Sequence, residues 1–334
     1  MRTVAVLGAG SWGTTLAVHL GRVGHDVRLW ARDRALVEEM ATRRANAVYL
    51  PDVTLPESVS VTHALPEALR DAELIVSAIP SHGCRGVIHL AAPSFAPGAV
   101  IVSATKGLEA ESLLRMSEVI AQEAGLGHPV VVLSGPSFAA EVAQQLPTAV
   151  LAASHDARAI ELVQHEFRGS YFRLYGSDDV VGVELGGAMK NTIAIAAGVV
   201  EGLGLGHNAL AALITRGLAE VTRLAVAAGG RRETLAGLSG LGDLVLTCTG
   251  NLSRNRHVGI ELARGRSLPA ILAGMKMIAE GVRTTGAALA LGARHGVELP
   301  IATQMAEVLE GRADVRSALD TLMLRRQRAE AETG

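Results

Sequence analysis

Only three of the 31 basic side chains in this sequence are lysines: Lys106, Lys190 and Lys276. Arginine keeps its charge at any accessible pH, whereas a desolvated lysine drifts toward neutrality and can exchange a proton. Composition bias would account for three leftover lysines, but two of them keep company that could do chemistry. Lys106 opens Lys106-Gly-Leu-Glu109, and Lys190 lies in Glu184-Leu-Gly-Gly-Ala-Met-Lys190-Asn191, within a small-residue stretch of helical spacing. Two further polar segments, Leu241-Gly-Asp243 and Ser253-Arg254-Asn255-Arg256, flank the run Leu244 to Thr249. Proton exchange at a lysine is therefore the first chemistry this chain suggests.

A second constellation lies at the N-terminus. Gly8-Ala9-Gly10-Ser11-Trp12-Gly13 directly follows a short apolar run, Thr3 to Leu7, and opens a segment of helical spacing. Glycine pairs are common, but here the required strand and helix flank the motif. Gly8 permits a tight turn, Gly10 lets the backbone approach a pyrophosphate, and Gly13 lets helix and strand pack closely. The helix N-terminus then turns its free amides to the phosphates. The choice of dinucleotide is written after the second strand, as Trp30-Ala31-Arg32-Asp33. Arg32 suits a 2′-phosphate and favours NADP(H), while the adjacent Asp33 leaves NAD(H) open.

Positioning these groups requires an α/β framework. Apolar runs at Thr3–Leu7, Asp26–Ala31, Glu73–Ile79, Ala99–Ala104, Val130–Ser134 and Thr148–Ala153 predict strands buried on both faces, with Tyr171–Tyr175 as a last strand. Segments such as Trp12–Val23 and Ser112–Ala124 predict helices between them. Strands alternating with helices imply a Rossmann-type, doubly wound, mostly parallel sheet. Lys106 and Ser134-Gly-Pro-Ser-Phe-Ala139 then fall at the C-terminal strand edge, where such sheets bind ligands. After Gly176-Ser-Asp-Asp179 the strand-like runs nearly vanish. Residues 1–179 read as the dinucleotide-binding domain and 180–334 as an all-helical domain.

Composition narrows the function classes. Hydrophobic residues make up 49% of the 334 but aromatics only 3%, so the core must close through small aliphatic side chains and near backbone approach. A net charge of −2 gives no global attraction to nucleic acid or an anionic membrane. The most apolar later stretch, Ile193 to Val200, is too short to span a bilayer, and the N-terminus lacks the pattern of a signal peptide. Cys84 and Cys248 fit a reducing compartment rather than a disulfide framework. These features predict a soluble, cytoplasmic protein. Eleven histidines are scattered without metal-ligand spacing, so no metal is expected; Met275 and Met277 read as packing.

Taken together, the glycine motif, Asn46-x-x-Tyr49-Leu50-Pro51, the Lys106 loop, SGPSFA, the Lys190-Asn191 helix, Leu238-Ser-Gly-Leu-Gly-Asp243 through Arg256, and Ala279-Glu-Gly-Val-Arg-Thr-Thr285 resemble bacterial NAD(P)-dependent glycerol-3-phosphate dehydrogenases. The resemblance covers essentially the whole chain. It implies that Lys190 donates and accepts the proton, with Lys106 beside the reacting carbon and Asp243 orienting a lysine or a substrate hydroxyl. It further implies that Lys106, Gly135, Ser137, Lys190, Asp243, Ser253, Arg254 and Asn255 meet dihydroxyacetone phosphate or sn-glycerol 3-phosphate, Arg254 and Asn255 through phosphate oxygens. The dinucleotide would be lined by Gly8, Gly10, Ser11, Trp12, Gly13, Arg32, Lys106, Ala139, Arg254, Ile278 and Glu280. A homodimer and a role in phospholipid synthesis are implied in the same way. A 2-hydroxy-acid dehydrogenase and a non-catalytic dinucleotide sensor are the competing readings. A phosphate requirement separates the first, and the Lys190 proton shuttle argues against the second.

Overall fold

The computed structural model describes residues 1–275, 279–327 and 329. The main sheet is built from β1 (Thr3–Leu7), β2 (Asp26–Trp30), β5 (Val59–Thr62), β6 (Leu74–Ser77), β7 (Val100–Ser103), β8 (Val130–Ser134), β9 (Thr148–Ala153) and β10 (Phe172–Ser177). A small hairpin, β3 (Ala45–Asn46) with β4 (Leu50–Thr54), stands apart from it. The strand order is β10-β9-β8-β7-β6-β1-β2-β5. All neighbours are parallel except β8 and β9, so the last two strands run against the rest. The predicted strands all form, each within two residues of its expected ends, and the antiparallel join satisfies "mostly parallel". The edge strand β5 and the hairpin escape the sequence reading because short, partly exposed runs carry little periodicity.

Helices α1 (Ser11–Arg22), α2 (Arg34–Arg43), α3 (Leu65–Leu69), α4 (Ser81–Ala91), α5 (Met116–Ala124), α6 (Ala139–Ala143) and α7 (Ala157–Glu166) connect the strands. The helix expected over 112–124 starts only at Met116. Leu113 takes a left-handed backbone, φ 63°, which a right-handed helix cannot absorb. The helix is instead capped where Glu118 accepts the Arg115 amide at 2.9 Å.

Beyond Ser177 the described residues form helices, turns and loops, and no strand. They comprise α8 (Val180–Gly202), α9 (Gly206–Ala227), α10 (Arg232–Leu235), α11 (Asp243–Thr249), α12 (Arg254–Ala263), α13 (Leu268–Ala273), α14 (Glu280–Arg294), α15 (Pro300–Leu309) and α16 (Val315–Met323). A π-helical turn at Leu238–Gly242 leads into α11. The central element is α8, buried along nearly its whole length. By length and composition it could cross a membrane, but here it is the core of the helical half.

The scarcity of aromatics is met by near contact of backbones. Where α8 meets α12, a Cβ on Gly198 would lie 1.9 Å from the Arg256 carbonyl oxygen, and one on Gly259 would lie 1.9 Å from that of Ile195. Only glycine fits at either position, and this crossing sets how far α12 stands from the helix that carries Lys190.

Candidate active site

The chain order changes direction between β1 and β6. From β1 it proceeds outward to β2, whereas β6 begins the walk to β7 and β8. Open α/β sheets have their ligand crevice at such a point. The glycine turn lies against it: a Cβ on Gly8, whose φ is +110°, would meet the Ala78 carbonyl oxygen at 2.7 Å, just past β6. A Cβ on Gly13 would fall 1.8 Å from the Gly8 oxygen, so α1 can begin here only without a side chain. Gly10 differs, because a Cβ there would meet nothing within 4 Å. The fold therefore leaves space beside Gly10, and no side chain caps the amides at the start of α1. These features fit a dinucleotide pyrophosphate.

The Asn46 motif braces this turn. The buried Asn46 amide donates to the Ala9 carbonyl and to Thr14 Oγ1, both at 2.9 Å, while its oxygen accepts the Tyr49 amide at 3.1 Å. Ser11 Oγ in turn donates to the Tyr49 carbonyl at 2.8 Å. Trp12 is half-buried against the sheet core, and the Ala139 carbonyl accepts Thr15 Oγ1 at 3.1 Å. Asp33 uses Oδ1 to cap α2, accepting from Ala35 and Leu36 at 2.9 and 3.3 Å, while Arg32 is exposed.

Three of the expected residues converge where sheet and helices meet. Lys190 Nζ donates to Asp243 Oδ1 and, at 2.8 Å, to Thr247 Oγ1. Lys106 Nζ, from the loop after β7, donates to Asp243 Oδ2 at 2.6 Å and to the Gly135 carbonyl at 3.0 Å. One carboxylate thus holds two ammonium groups from opposite halves of the molecule. Its side chain is 1% exposed, against 9% for Lys190 and 17% for Lys106. Burial pushes the Lys190 pKa down to about 8; Asp243 opposes the fall and the charge of Lys106 adds to it. A lysine in that range can both hold and release a proton near neutral pH.

Local structure aims these groups. A Cβ on Gly187 would lie 2.8 Å from Ser134 Oγ, and one on Gly186 would lie 2.7 Å from the Ser239 carbonyl oxygen. The glycine pair thus seats α8 between the end of β8 and the π-helical turn that delivers Asp243. Glu184, about one and two-thirds turns before Lys190, is bound by Arg115 at 2.7 Å and by the Ser117 amide at 2.8 Å, tying α8 to α5. Thr247 and Glu184 were not singled out from sequence. Thr247 was accessible, since a residue four after Asp243 shares its helix face.

The remaining expected residues are more dispersed. Ser137 Oγ donates to the Gly135 carbonyl at 3.0 Å, and Ser253 Oγ caps α12 by accepting the Arg256 amide at 3.2 Å. Asn255 is buried and partly committed: its amide donates to Asn191 Oδ1 and its oxygen accepts the Gly281 amide, both at 3.0 Å. One of its N–H groups is thus used inside the protein, and the other has no hydrogen-bond partner among the described residues. Arg254 keeps solvent access, though desolvation lowers its pKa and Glu280 opposes this. Desolvation raises the Glu280 pKa, against the pull of Arg254, Lys106 and Lys190. Ile278, Lys276 and Met277 lie outside the described residues; Met275 packs against the helical core. No group of three or more metal-ligating side chains occurs among the described residues. A separate cavity lined by Leu289, Pro300, Thr303, Leu322 and Arg325 contains none of the expected residues.

A Rossmann-type sheet with a glycine turn at the start of α1, joined to a helical half through the buried Lys190–Asp243–Lys106 contact, defines a dinucleotide-dependent oxidoreductase class. Sequence comparison sharpens the class. Profiles of the N-terminal and C-terminal parts of NAD-dependent glycerol-3-phosphate dehydrogenase match residues 3–160 and 179–320, and the chain belongs to that family. It is 53% identical over 329 residues to glycerol-3-phosphate dehydrogenase (NAD(P)+) of Koribacter versatilis, covering 97% of this chain and 98% of that one. The corresponding protein of Acidobacterium capsulatum is 54% identical over 338 residues, covering 99% and 100%. Among solved structures, glycerol-3-phosphate dehydrogenase from Coxiella burnetii superposes with a TM-score of 0.94 at 42% identity, covering 97% of this chain and 99% of that one.

Proposed function

We propose that this chain is an NAD(P)-dependent sn-glycerol-3-phosphate dehydrogenase in which Lys190 is the general acid and base. The nicotinamide, when bound, supplies or accepts the hydride at C2 of the substrate. Reduction of the dihydroxyacetone phosphate carbonyl builds negative charge on its oxygen, and protonated Lys190 donates first a hydrogen bond and then the proton. In the reverse direction neutral Lys190 removes the hydroxyl proton. Asp243 holds both lysines, Lys106 adds positive charge beside the reacting carbon, and Arg254 holds phosphate with the remaining N–H of Asn255. Gly135, Ser137 and Ser253 border the substrate. The dinucleotide lies along Gly8, Gly10, Ser11, Trp12 and Gly13, with Arg32 favouring NADPH and with Ala139, Arg254, Ile278 and Glu280 around it.

The observation that carries this reading is the buried Lys190–Asp243–Lys106 contact between the two halves. Residues 1–179 act as the dinucleotide-binding domain and 180–334 as the substrate-binding, catalytic domain. The product feeds phospholipid synthesis in the cytoplasm, and the enzyme works as a homodimer, which light scattering tests. The central test follows cofactor oxidation by absorbance with dihydroxyacetone phosphate, dihydroxyacetone and a panel of 2-keto acids, each with NADPH and NADH. Turnover should require the phosphate. Faster reduction of a keto acid would overturn the substrate assignment.

A further inference from the structure

Three basic side chains from three separate elements lie at the crevice edge, where β2 and β6 run parallel on either side of β1 and end on the same side of the sheet. Arg32 lies two residues past β2, His82 stands in the first turn of α4, and Arg283 in the first turn of α14. The elements themselves are close: a Cβ on Gly107 would lie 3.0 Å from Ser81 Cβ and Oγ and 3.8 Å from Thr284 Oγ1. The neighbours His82 and Arg283 therefore come from two segments that both approach Gly107. His82 responds to both arginines, since desolvation and then the charges of Arg283 and Arg32 lower its pKa. All three groups are exposed, and among the described residues none has a carboxylate partner. Elsewhere Arg85, Arg115, Arg231, Arg256 and Arg312 each bind a carboxylate. Asp33, next to Arg32 in sequence, is hydrogen-bonded to two amides at the start of α2 and forms no ion pair with any of the three.

Like charges gathered without a counter-charge repel one another, and that repulsion is relieved when a dianion arrives between them. We propose that Arg283, on the helical half, is a specificity residue for the cofactor's 2′-phosphate, acting with Arg32 across the crevice. Selection of NADPH over NADH is then made by both halves of the protein, and the 2′-phosphate helps hold them together. This rests on the NADPH preference assigned above to Arg32.

Calorimetric titration of the full-length protein with NADPH, NADH and 2′,5′-ADP tests it for the wild type, Arg32→Ser, Arg283→Ala, Arg283→Lys and the double variant. Loss of one charge-assisted contact to phosphate should weaken NADPH and 2′,5′-ADP roughly tenfold in Arg283→Ala, with NADH changed less than about twofold. Arg283→Lys should keep most of the preference, and the NADPH advantage should shrink with added salt. Equal losses for NADPH and NADH, or no loss, would overturn the role of Arg283. If Arg32→Ser alone abolishes the preference and Arg283→Ala does not, the Arg32 assignment stands and this inference falls. If neither variant changes the preference, both fall.

Discussion

Asp243→Asn separates the charge of the buried carboxylate from its shape. The asparagine fills the same space at the start of α11 but no longer offers a negative charge to Lys190 and Lys106. In the native protein burial drives the Lys190 pKa down to about 8 and Asp243 keeps it from falling further. Removing an adjacent opposite charge shifts a pKa by about one to three units, here downward, so the variant lysine should titrate near pH ~6. At pH ~7 the native lysine is then roughly nine-tenths protonated and the variant roughly one-tenth. Carbonyl reduction needs the protonated form, so kcat/KM for dihydroxyacetone phosphate should drop about tenfold at that pH from protonation alone. The sign follows for each direction. Native reduction should stay level below about pH 8 and decline above it, whereas native oxidation should climb to a plateau past the same point. In Asp243→Asn both inflections move to lower pH, and part of the lost reductive rate returns on acidification. Thermal unfolding and NADPH titration, run alongside, exclude a misfolded enzyme. An unshifted inflection in a folded variant would refute Lys190 as the titrating group.

The other predictions concern separate parts of the argument. Lys190→Ala should lose about a hundred- to ten-thousand-fold in turnover while binding NADPH as the native enzyme does, checked by stopped-flow rates and calorimetry. Gly10→Ala and Gly13→Ala should differ in kind: the first leaves unfolding within about 1 kcal/mol of native yet weakens dinucleotide binding, whereas the second forces Gly8 aside and lowers stability itself. Glu220, 2% exposed, accepts the Ile301 and Ala302 amides at the start of α15, and desolvation raises its pKa to about 7. A carboxyl whose folded pKa exceeds its unfolded one stabilises the fold fully below the unfolded value and loses that contribution as pH rises through the folded value. From pH ~4.5 to above ~7 this amounts to about 3 kcal/mol. Denaturant unfolding across that range should show the slope, and Glu220→Gln should flatten it.

Much of this architecture is legible in the sequence because periodicity and glycine spacing report directly on backbone geometry. The buried strands show as unbroken apolar runs, and Gly8 and Gly13 stand where a side chain would collide with backbone. What sequence does not reveal is which polar groups face one another. Lys106 and Lys190 attract notice separately, but a carboxylate 53 residues beyond one and 137 beyond the other becomes their shared partner only through tertiary packing. The same limit hides the division of labour between Arg32 and Asp33. As neighbours in sequence they argue for opposite cofactors; in the fold Asp33 accepts two amides at the head of α2, whereas Arg32 is exposed and has no carboxylate partner among the described residues. Asn255 shows the converse case, since a residue type suited to an anion has given part of its donor capacity to α8 and α14. Residue type and spacing thus indicate what chemistry is available, while the helix crossing at Gly198 and Gly259 decides which groups remain to perform it. A side chain added at either glycine would push α12 away from α8 and carry Arg254 away from the Lys190 site. The small-residue core is therefore part of the catalytic geometry as well as of the fold.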